Sequence, residues 1–468
     1  MMKKWTALWM CVCLMLVSAA CVSAGGEAAG LIEVEYKKAD LKAEWKADKA
    51  VSITFDGRLA EISGGGAYQD GNVLVINSKG DYLLGGEFSG RIVVDADKDD
   101  KVRLILDGLT LTSEESAAIF FRRADKATIT LAEGSENTII GGARLLTDDG
   151  EELDATVYSK ADLVINGSGG LNVSSPNGHG ILSKDDLRLI DGQITVNAYG
   201  DGVRGRDAIQ MKGGVISIVA GADGMKSNND EEADRGYISV DGGEVHISAG
   251  EDGIQAETVL QILAGRVVVE KSYEGMEAQR MLIAGGEISV TAEEDGLNAA
   301  GGDEGNESKN PFEAGHQTLT VSGGLLHVNA SGDGIDSNGA MVFQGGEVYV
   351  SGPVDNKNGA LDASGEMTLS GGVLLAAGSS GMASAPRSDG QAVTMVDFGA
   401  VQPGGAAVSV RNAEGTEIVS FAPGKEWTNL VISHPDIREG EKILIYVNDG
   451  QVSEATAGQA AQRGGRFR

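Results

Sequence analysis

The sequence predicts an all-β protein: a parallel β-helix, wound as a solenoid, closed by a small C-terminal β cap. Three observations carry that reading. One phrase recurs between Gly180 and Ala360, its period is that of a solenoid turn, and its apolar stretches are β-branched and broken by glycine. The phrase reads acid–Gly–apolar, a few polar residues, an apolar triplet, Gly-Gly or a relative, then an alternating strand. Its plainest copies begin at Asp201-Gly202-Val203, Asp223-Gly224-Met225, Asp252-Gly253-Ile254, Glu274-Gly275-Met276, Asp295-Gly296-Leu297 and Asp333-Gly334-Ile335. From Gly180, with Ala360 standing in for the last glycine, the steps are 22, 22, 29, 22, 21, 38 and 26 residues. Periods of roughly 20–50 residues mark solenoids, propellers or arrays. Glycine interrupts each segment before a helix could nucleate, and alternation with period two suits strands. Two or three short strands per copy make one turn of a β-helix, successive turns lying about 4.8 Å apart. The long steps come from polar, acidic insertions at Ser227–Arg235 and Ala300–His316, expected as surface loops.

Stacking of turns places equivalent residues in columns. One column is Asp201, Asp223, Asp252, Glu274, Asp295 and Asp333. A second, three residues on, is Arg204, Lys226, Gln255, Glu277, Asn298 and Asp336, with Asp362 next. Carboxylates at such spacing repel one another unless a cation neutralises them. Crowded oxygen ligands point to a hard cation, calcium, which takes 6–8 oxygens. The strongest cluster is Glu274, Glu277, Asp295, Asn298, Asp333 and Asp336. Asp201, Asp223 and Asp252 extend it, although at Arg204 and Lys226 an ion pair replaces a metal equally well. Asp355, Asn356, Asn358 and Asp362 make a further oxygen-rich turn. The competing reading is that each acid caps its turn by accepting backbone amides.

Residues 1–24 read as an export signal: Lys3 and Lys4, an apolar run from Trp5 to Val17, then small residues. Cleavage after Ala24 and lipidation of Cys21 both stay open, since Ser18 stands where a lipobox carries Leu or Val. The protein is therefore expected outside the cell, free or lipid-anchored at the surface. Cysteines occur only at 11, 13 and 21, so no disulfide framework exists downstream. No later apolar stretch is long enough for a membrane span. A formal net charge of −31 argues against nucleic acid and anionic lipid as partners.

Residues 25–49 read as a linker or loosely docked arm. The β-helix is expected over 50–377, beginning with irregular early turns such as Val73–Ile76 and Arg91–Val94. Residues 378–450 form a Gly/Ser/Ala-rich connector and the β cap, with strands at Ala407–Val410, Leu430–Ser433 and Ile443–Tyr446. An open solenoid end needs such a cover. Residues 451–468 are poor in apolar side chains and read as a disordered tail.

The order and spacing of Ala161–Gly169, Ser272-Tyr273-Glu274-Gly275-Met276-Glu277, Asp295–Ala299 and Gly332–Gly339 resemble those of bacterial carbohydrate-binding domain-containing proteins of the kind described from cellulolytic clostridia. The resemblance covers roughly residues 50–440. It implies an exported, pectate-lyase-like, right-handed parallel β-helix that carries calcium and binds cellulose or polygalacturonate-type polysaccharide, as a binder rather than an enzyme; separately from the resemblance, a monomer is expected.

Aromatic contacts to sugar are few in the sequence. The only tryptophans beyond the leader, Trp45 and Trp427, lie outside the repeats. Tyr199 and Tyr273 flank column acids and are the candidates for stacking on a sugar, with Arg204 and Lys226 beside them. A calcium-dependent polysaccharide lyase is the alternative, its base drawn from Arg204, Arg206, Lys226 or Arg280, none marked by a motif. A calcium-stiffened structural or adhesive surface protein is a third reading. The histidines carry no metal or nucleophile spacing.

Overall fold

The computed structural model describes residues 31–115, 117–146, 150, 152–301 and 315–459. The expected leader, Cys21 and most of the Ala300–His316 insertion lie outside the described residues. Among those described, every regular element is a strand, and no helix is long and apolar enough to cross a membrane.

The chain winds as a right-handed parallel β-helix, the sense taken by crossovers between parallel strands. A turn consists of three strands on three sheets. His179–Ser183, Asp186–Leu189 and Gln193–Ala198 form one turn, and Val203–Gly205, Ala208–Met211 and Val215–Ala220 lie above them strand for strand. We call these the first, second and third sheets. The recurring phrase is the corner from the third sheet to the first. Its apolar residue turns inward: Ile181, Val203, Met225, Ile254, Met276, Leu297, Ile335 and Leu361 are paired in series and have no exposure. Alternation then forces the following residue outward. The intervening glycine is steric. A Cβ on Gly275 or Gly296 would strike the carbonyl oxygen of the next turn's glycine and a valine of the third sheet. The Gly-Gly corners serve backbone conformation instead; Gly286, for example, has φ +83°.

The N-terminal end differs from the expected irregular turns. Val51–Gly57 pairs antiparallel with Leu59–Ser63, and Ala67–Asp70 pairs antiparallel with Val73–Ile76. Two-residue loops with positive φ at Gly57 and Gly71 close both hairpins, a geometry that joins antiparallel strands only. Three-strand winding takes over with Gly80–Ser89 and Arg91–Asp95, and Phe55 stacks on Phe88 at 4.4 Å across that junction.

At the other end Val373–Gly378 pairs antiparallel with Trp427–Ser433, which also pairs with Thr394–Gln402. Outside it lies a four-stranded antiparallel sheet of Val408–Arg411, Glu417–Phe421, Lys442–Val447 and Gly450–Thr456. Trp427 is buried in the core between them with Val408, Val410 and Ile445, so it offers no sugar platform. The last strand corrects the expected tail from Gln451. Asn448 and Asp449 take φ of 47° and 63° and turn the chain back to pair with Lys442–Val447.

The segment before Val51 is docked rather than loose. It runs along the coil axis over the second sheet, crossing the paired series Arg103, Thr128, Val164, Arg188, Gln210, Ser239 and Gln261. The Gln261 side-chain amide exchanges both hydrogen bonds with the Ile32 backbone, at 2.9 and 3.0 Å. Lys212 lies 4.8 Å from the Tyr36 ring centre. Asp40 is wholly buried against Lys126, with Arg188 at 4.0 Å, and Asn166 Nδ2 donates to its carbonyl at 2.8 Å. Arg103 donates to the carbonyls of Lys42 and Glu44 at 3.3 and 3.2 Å.

Candidate metal-binding edge

The corner between the third and first sheets gathers both predicted columns. In the second column Arg204 pairs with Lys226, Lys226 with Gln255, Gln255 with Glu277, Glu277 with Asn298, Asn298 with Asp336, and Asp336 with Asp362. In the first column the backbone is locked in the same order. Gly202 N donates to Asp223 O, Gly224 N to Asp252 O, Gly253 N to Glu274 O, Gly275 N to Asp295 O and Gly296 N to Asp333 O. One carboxylate oxygen of several column acids also reaches the next turn. Asp223 Oδ1 accepts from Asp252 N at 2.9 Å, Asp295 Oδ1 from Asp333 N at 2.6 Å, and Asp333 Oδ1 from Gly359 N at 2.5 Å. The amide-capping role is thus real for Asp201, Asp223, Asp295 and Asp333, but it bridges turns and engages one oxygen of each of these acids, leaving the other for a cation.

The edge divides into two halves by what neutralises that second oxygen. In the N-terminal half the protein supplies the cations. Asp201 Oδ2 lies 3.1 Å from His179 Nδ1 and 3.4 Å from Arg204 Nη1. Asp223 Oδ2 accepts from Lys226 Nζ at 2.5 Å. His179 Nε2 faces Asp154 at 3.5 Å, with Arg204 Nη1 at 3.4 Å. Burial lowers the basicity of His179, but hydrogen bonds to Asp154 and Asp201 outweigh it and hold the ring's pKa at about 9. Asp201 and Asp223 are thereby occupied, and Arg204 and Lys226 are committed to them.

From Asp252 onward no described Lys, Arg or His comes within ion-pairing distance of Asp252, Glu274, Glu277, Asp295, Asp333, Asp336 or Asp362. Burial first, then mutual repulsion, pushes Asp252 up to about 8 and Glu277 to about 7. Burial likewise raises Asp295 to about 6 and Asp333 to about 7 against backbone hydrogen bonds that oppose it, with neighbouring acids adding to the rise. Asp336 rises to about 7, from burial and then Asp333, Asp295 and Asp362. Oxygens of Asp333, Asp336 and Asp362 lie within 4.8 Å of one another. Two amide oxygens in the same column, Gln255 Oε1 and Asn298 Oδ1, are buried with no hydrogen-bond partner among the described residues. An all-oxygen donor set with orphaned acceptors and uncompensated acids fits a calcium ion and does not fit a soft metal. The Asp355 turn is different: Asp355 Oδ1 accepts from Lys357 N at 2.8 Å and caps its own turn, so only Asp362 of that group joins the edge.

Sequence reasoning missed His179, although the signal was present. Gly178-His179-Gly180-Ile181 is the recurring phrase with histidine in the acid's place. Tyr199 and Tyr273 stand on this same edge, 70 % and 52 % exposed. Neither joins the two acid columns; Tyr273 lies in a neighbouring one with Gly200, Ala222, Glu251 and Glu294.

A family model described as "Carbohydrate-binding domain-containing protein" matches residues 70–356, more than half of the chain. The chain belongs to this family. A carbohydrate-binding domain-containing protein from Acetivibrio thermocellus is 34% identical over 126 residues, 26% of this chain and 44% of that relative. The chain thus spans less than half the length of this curated relative. The gadolinium derivative of a polysaccharide lyase-like protein from C. thermocellum matches 55% of this chain and 98% of its own, at 30% identity and a TM-score of 0.46. The matched stretch of this carbohydrate-binding domain-containing protein takes in both halves of the edge up to Asp336, and Asp362 lies beyond it.

Proposed function

We propose that the protein is an exported, non-catalytic binder of acidic or cellulosic plant cell-wall polysaccharide, of the polygalacturonate type, with calcium held on the acidic half of its edge. The observation that carries this reading is the series Asp252, Glu274, Glu277, Asp295, Asp333, Asp336 and Asp362 without a basic partner among the described residues, beside the orphaned oxygens of Gln255 and Asn298. These residues would hold calcium, which would offer its remaining coordination positions to ligand oxygens such as uronate carboxylates. Without it, an acidic edge on a chain of net charge −31 repels an acidic polymer.

A lyase reading needs a base that gives up its own proton near neutral pH. Lys226 is poorly suited: hydrogen bonding and attraction to Asp223 raise its pKa against the effect of burial. Arg204 is tied to Asp201. The test is retention on polygalacturonate and on cellulose with and without EDTA, with the supernatant scanned for the ultraviolet absorbance of unsaturated uronide. EDTA-sensitive retention without product supports the proposal. Product formation would move it to a lyase. Calcium-dependent melting without retention on either polymer would leave a calcium-stiffened surface protein.

A further inference from the structure

The N-terminal half of the edge carries its own cations and so has no need of metal, yet the exposed Tyr199 stands there. Two adjoining hollows, of about 340 and 650 Å³, share Tyr199 and Arg144 as walls. Arg144 comes from the loop after Glu136–Ile140 and is held in place: Nε donates to Asn177 O at 2.8 Å and Nη1 to Glu152 at 3.3 Å, with the side chain 45% exposed. The larger hollow runs on past His179 to Val219 and Glu251.

Part of its floor, at Gly221, is bare for a steric reason that recurs at Gly250 on the next turn. A Cβ on Gly221 would strike the Tyr199 carbonyl, and one on Gly250 would strike that of Gly221. Side chains larger than hydrogen cannot be stacked at those corners. The floor leads from Tyr199 towards Tyr273, three turns on, or about 14 Å at the usual strand spacing. An exposed ring walling an open, largely apolar groove suits the flat C–H face of a sugar, with a nearby guanidinium for its oxygens.

The charges in this hollow are close to balanced. Arg144 and His179 line it together with Glu251, and behind the wall Arg144 is paired with Glu152 and His179 with Asp154 and Asp201. Recognition there falls to stacking and hydrogen bonding rather than to net charge.

We infer that Tyr199 and Arg144 form a metal-independent sugar subsite, in which a pyranose ring stacks on Tyr199 and its oxygen substituents accept hydrogen bonds from Arg144. The chain of sugars would then run along the coil axis over the glycine floor towards the calcium-binding half. Its ligand class rests on the proposed function; the subsite itself does not rest on calcium. The oxygen substituents are a carboxylate in a galacturonan or hydroxyls in a glucan, and the test separates the two.

The test is affinity electrophoresis of the full chain in EDTA, through gels holding polygalacturonate or a soluble cellulose derivative. The subsite predicts residual retardation on at least one polymer, weakened tenfold or more by Tyr199→Ala and by Arg144→Ala and kept by Tyr199→Trp. The melting temperature of Tyr199→Ala should match the parent, because the ring is 70% exposed. Loss on polygalacturonate alone assigns the oxygens to carboxylate; loss on the glucan assigns them to hydroxyls. No retardation in EDTA, or equal retardation of parent and Tyr199→Ala, overturns the subsite. Should Arg144→Ala lower the melting temperature, Tyr199→Ala and Tyr199→Trp decide. Retardation unaffected by EDTA or added calcium would instead defeat the metal reading and leave the subsite standing.

Discussion

Asn298 donates its side-chain amide to Glu274 Oε2 across 3.2 Å, while its own Oδ1 is buried with no hydrogen-bond partner among the described residues. An unmet buried acceptor costs about 1–3 kcal/mol, and the acids around it have no proton to offer when ionised. A cation between them would satisfy the amide oxygen and the carboxylates together. That arrangement gives a prediction of opposite signs. Without metal, Asp336→Asn and Glu277→Gln should each stabilise the protein, because they remove a repelling charge. In calcium they should be the less stable proteins. The parent should gain about 2.7 kcal/mol when calcium reaches a hundred times its dissociation constant, and the variants much less. Thermal melts of parent and variants in EDTA and in calcium check both signs; equal response to calcium would refute the assignment of these two residues.

The same acids set a pH dependence. Asp252 at about 8, Glu277, Asp333 and Asp336 at about 7 and Asp295 at about 6 all lie above the ordinary carboxylate range. Between roughly pH 4 and 8 the folded chain therefore holds protons that the unfolded chain has released. The contribution of these groups to stability is fullest below about pH 4 and declines as pH rises to about 8. Calcium, which binds the ionised forms, should cancel that decline. The measured quantity is the melting temperature against pH with EDTA and with calcium: the two curves should meet near pH 4–5 and part steadily towards pH 8.

His179 makes a second, separate contribution. Burial works to lower its pKa, but Asp154 and Asp201 flank it and raise it to about 9, above that of a free histidine. A raised folded pKa means stability present below about pH 6.5 and lost as pH climbs through 9. The shift corresponds to at most about 3 kcal/mol. In His179→Gln this loss should vanish, while the calcium response persists, since Glu277, Asn298 and Asp336 lie four to six turns away. Denaturant unfolding of both proteins at pH 6 and pH 9.5, with calcium present throughout, measures the difference.

The repeat was legible because its steric logic is local. An acid–Gly–apolar phrase fixes an inward residue, an outward residue and a glycine that no side chain can replace, so Glu277, Asn298 and Asp336 fall into register by counting. The two halves of the edge were only half legible. Arg204 and Lys226 sit visibly in the column, but that each closes on the acid three residues before it depends on side-chain reach. His179 was hidden because the pattern was sought as an acid. The ends were misread for a related reason. Gly71-Asn72 and Asn448-Asp449 are tight-turn signals that reverse a strand, and a search for forward-running turns passes over them. Docking of the arm rests on Gln261 meeting Ile32, partners 229 residues apart, and no local pattern announces such a contact.

The arm also bears on cooperativity. Turns of a solenoid otherwise touch only their neighbours, so each stabilises only the next and the ends fray. A segment lying across seven turns couples them directly. Its most buried contact is Asp40 with Lys126, whose pKa burial already lowers to about 8. Arg188 has Asp162 at 3.1 Å and Asp186 at 2.5 Å as further partners, whereas Lys126 loses its close one if Asp40 goes. Breaking a buried pair costs about 3–5 kcal/mol; Asp40→Ala should fall at the lower end, because Lys126 can shed its proton. Asp40→Ala with Lys126→Met should recover most of that loss. Removing residues 31–44 should go further and broaden the unfolding transition. Hydrogen exchange should quicken in the second sheet between Arg103 and Gln261 and stay slow from Thr318–Val321 onward. An unchanged exchange pattern with a sharp transition would show that the arm lies on the coil without binding its turns together.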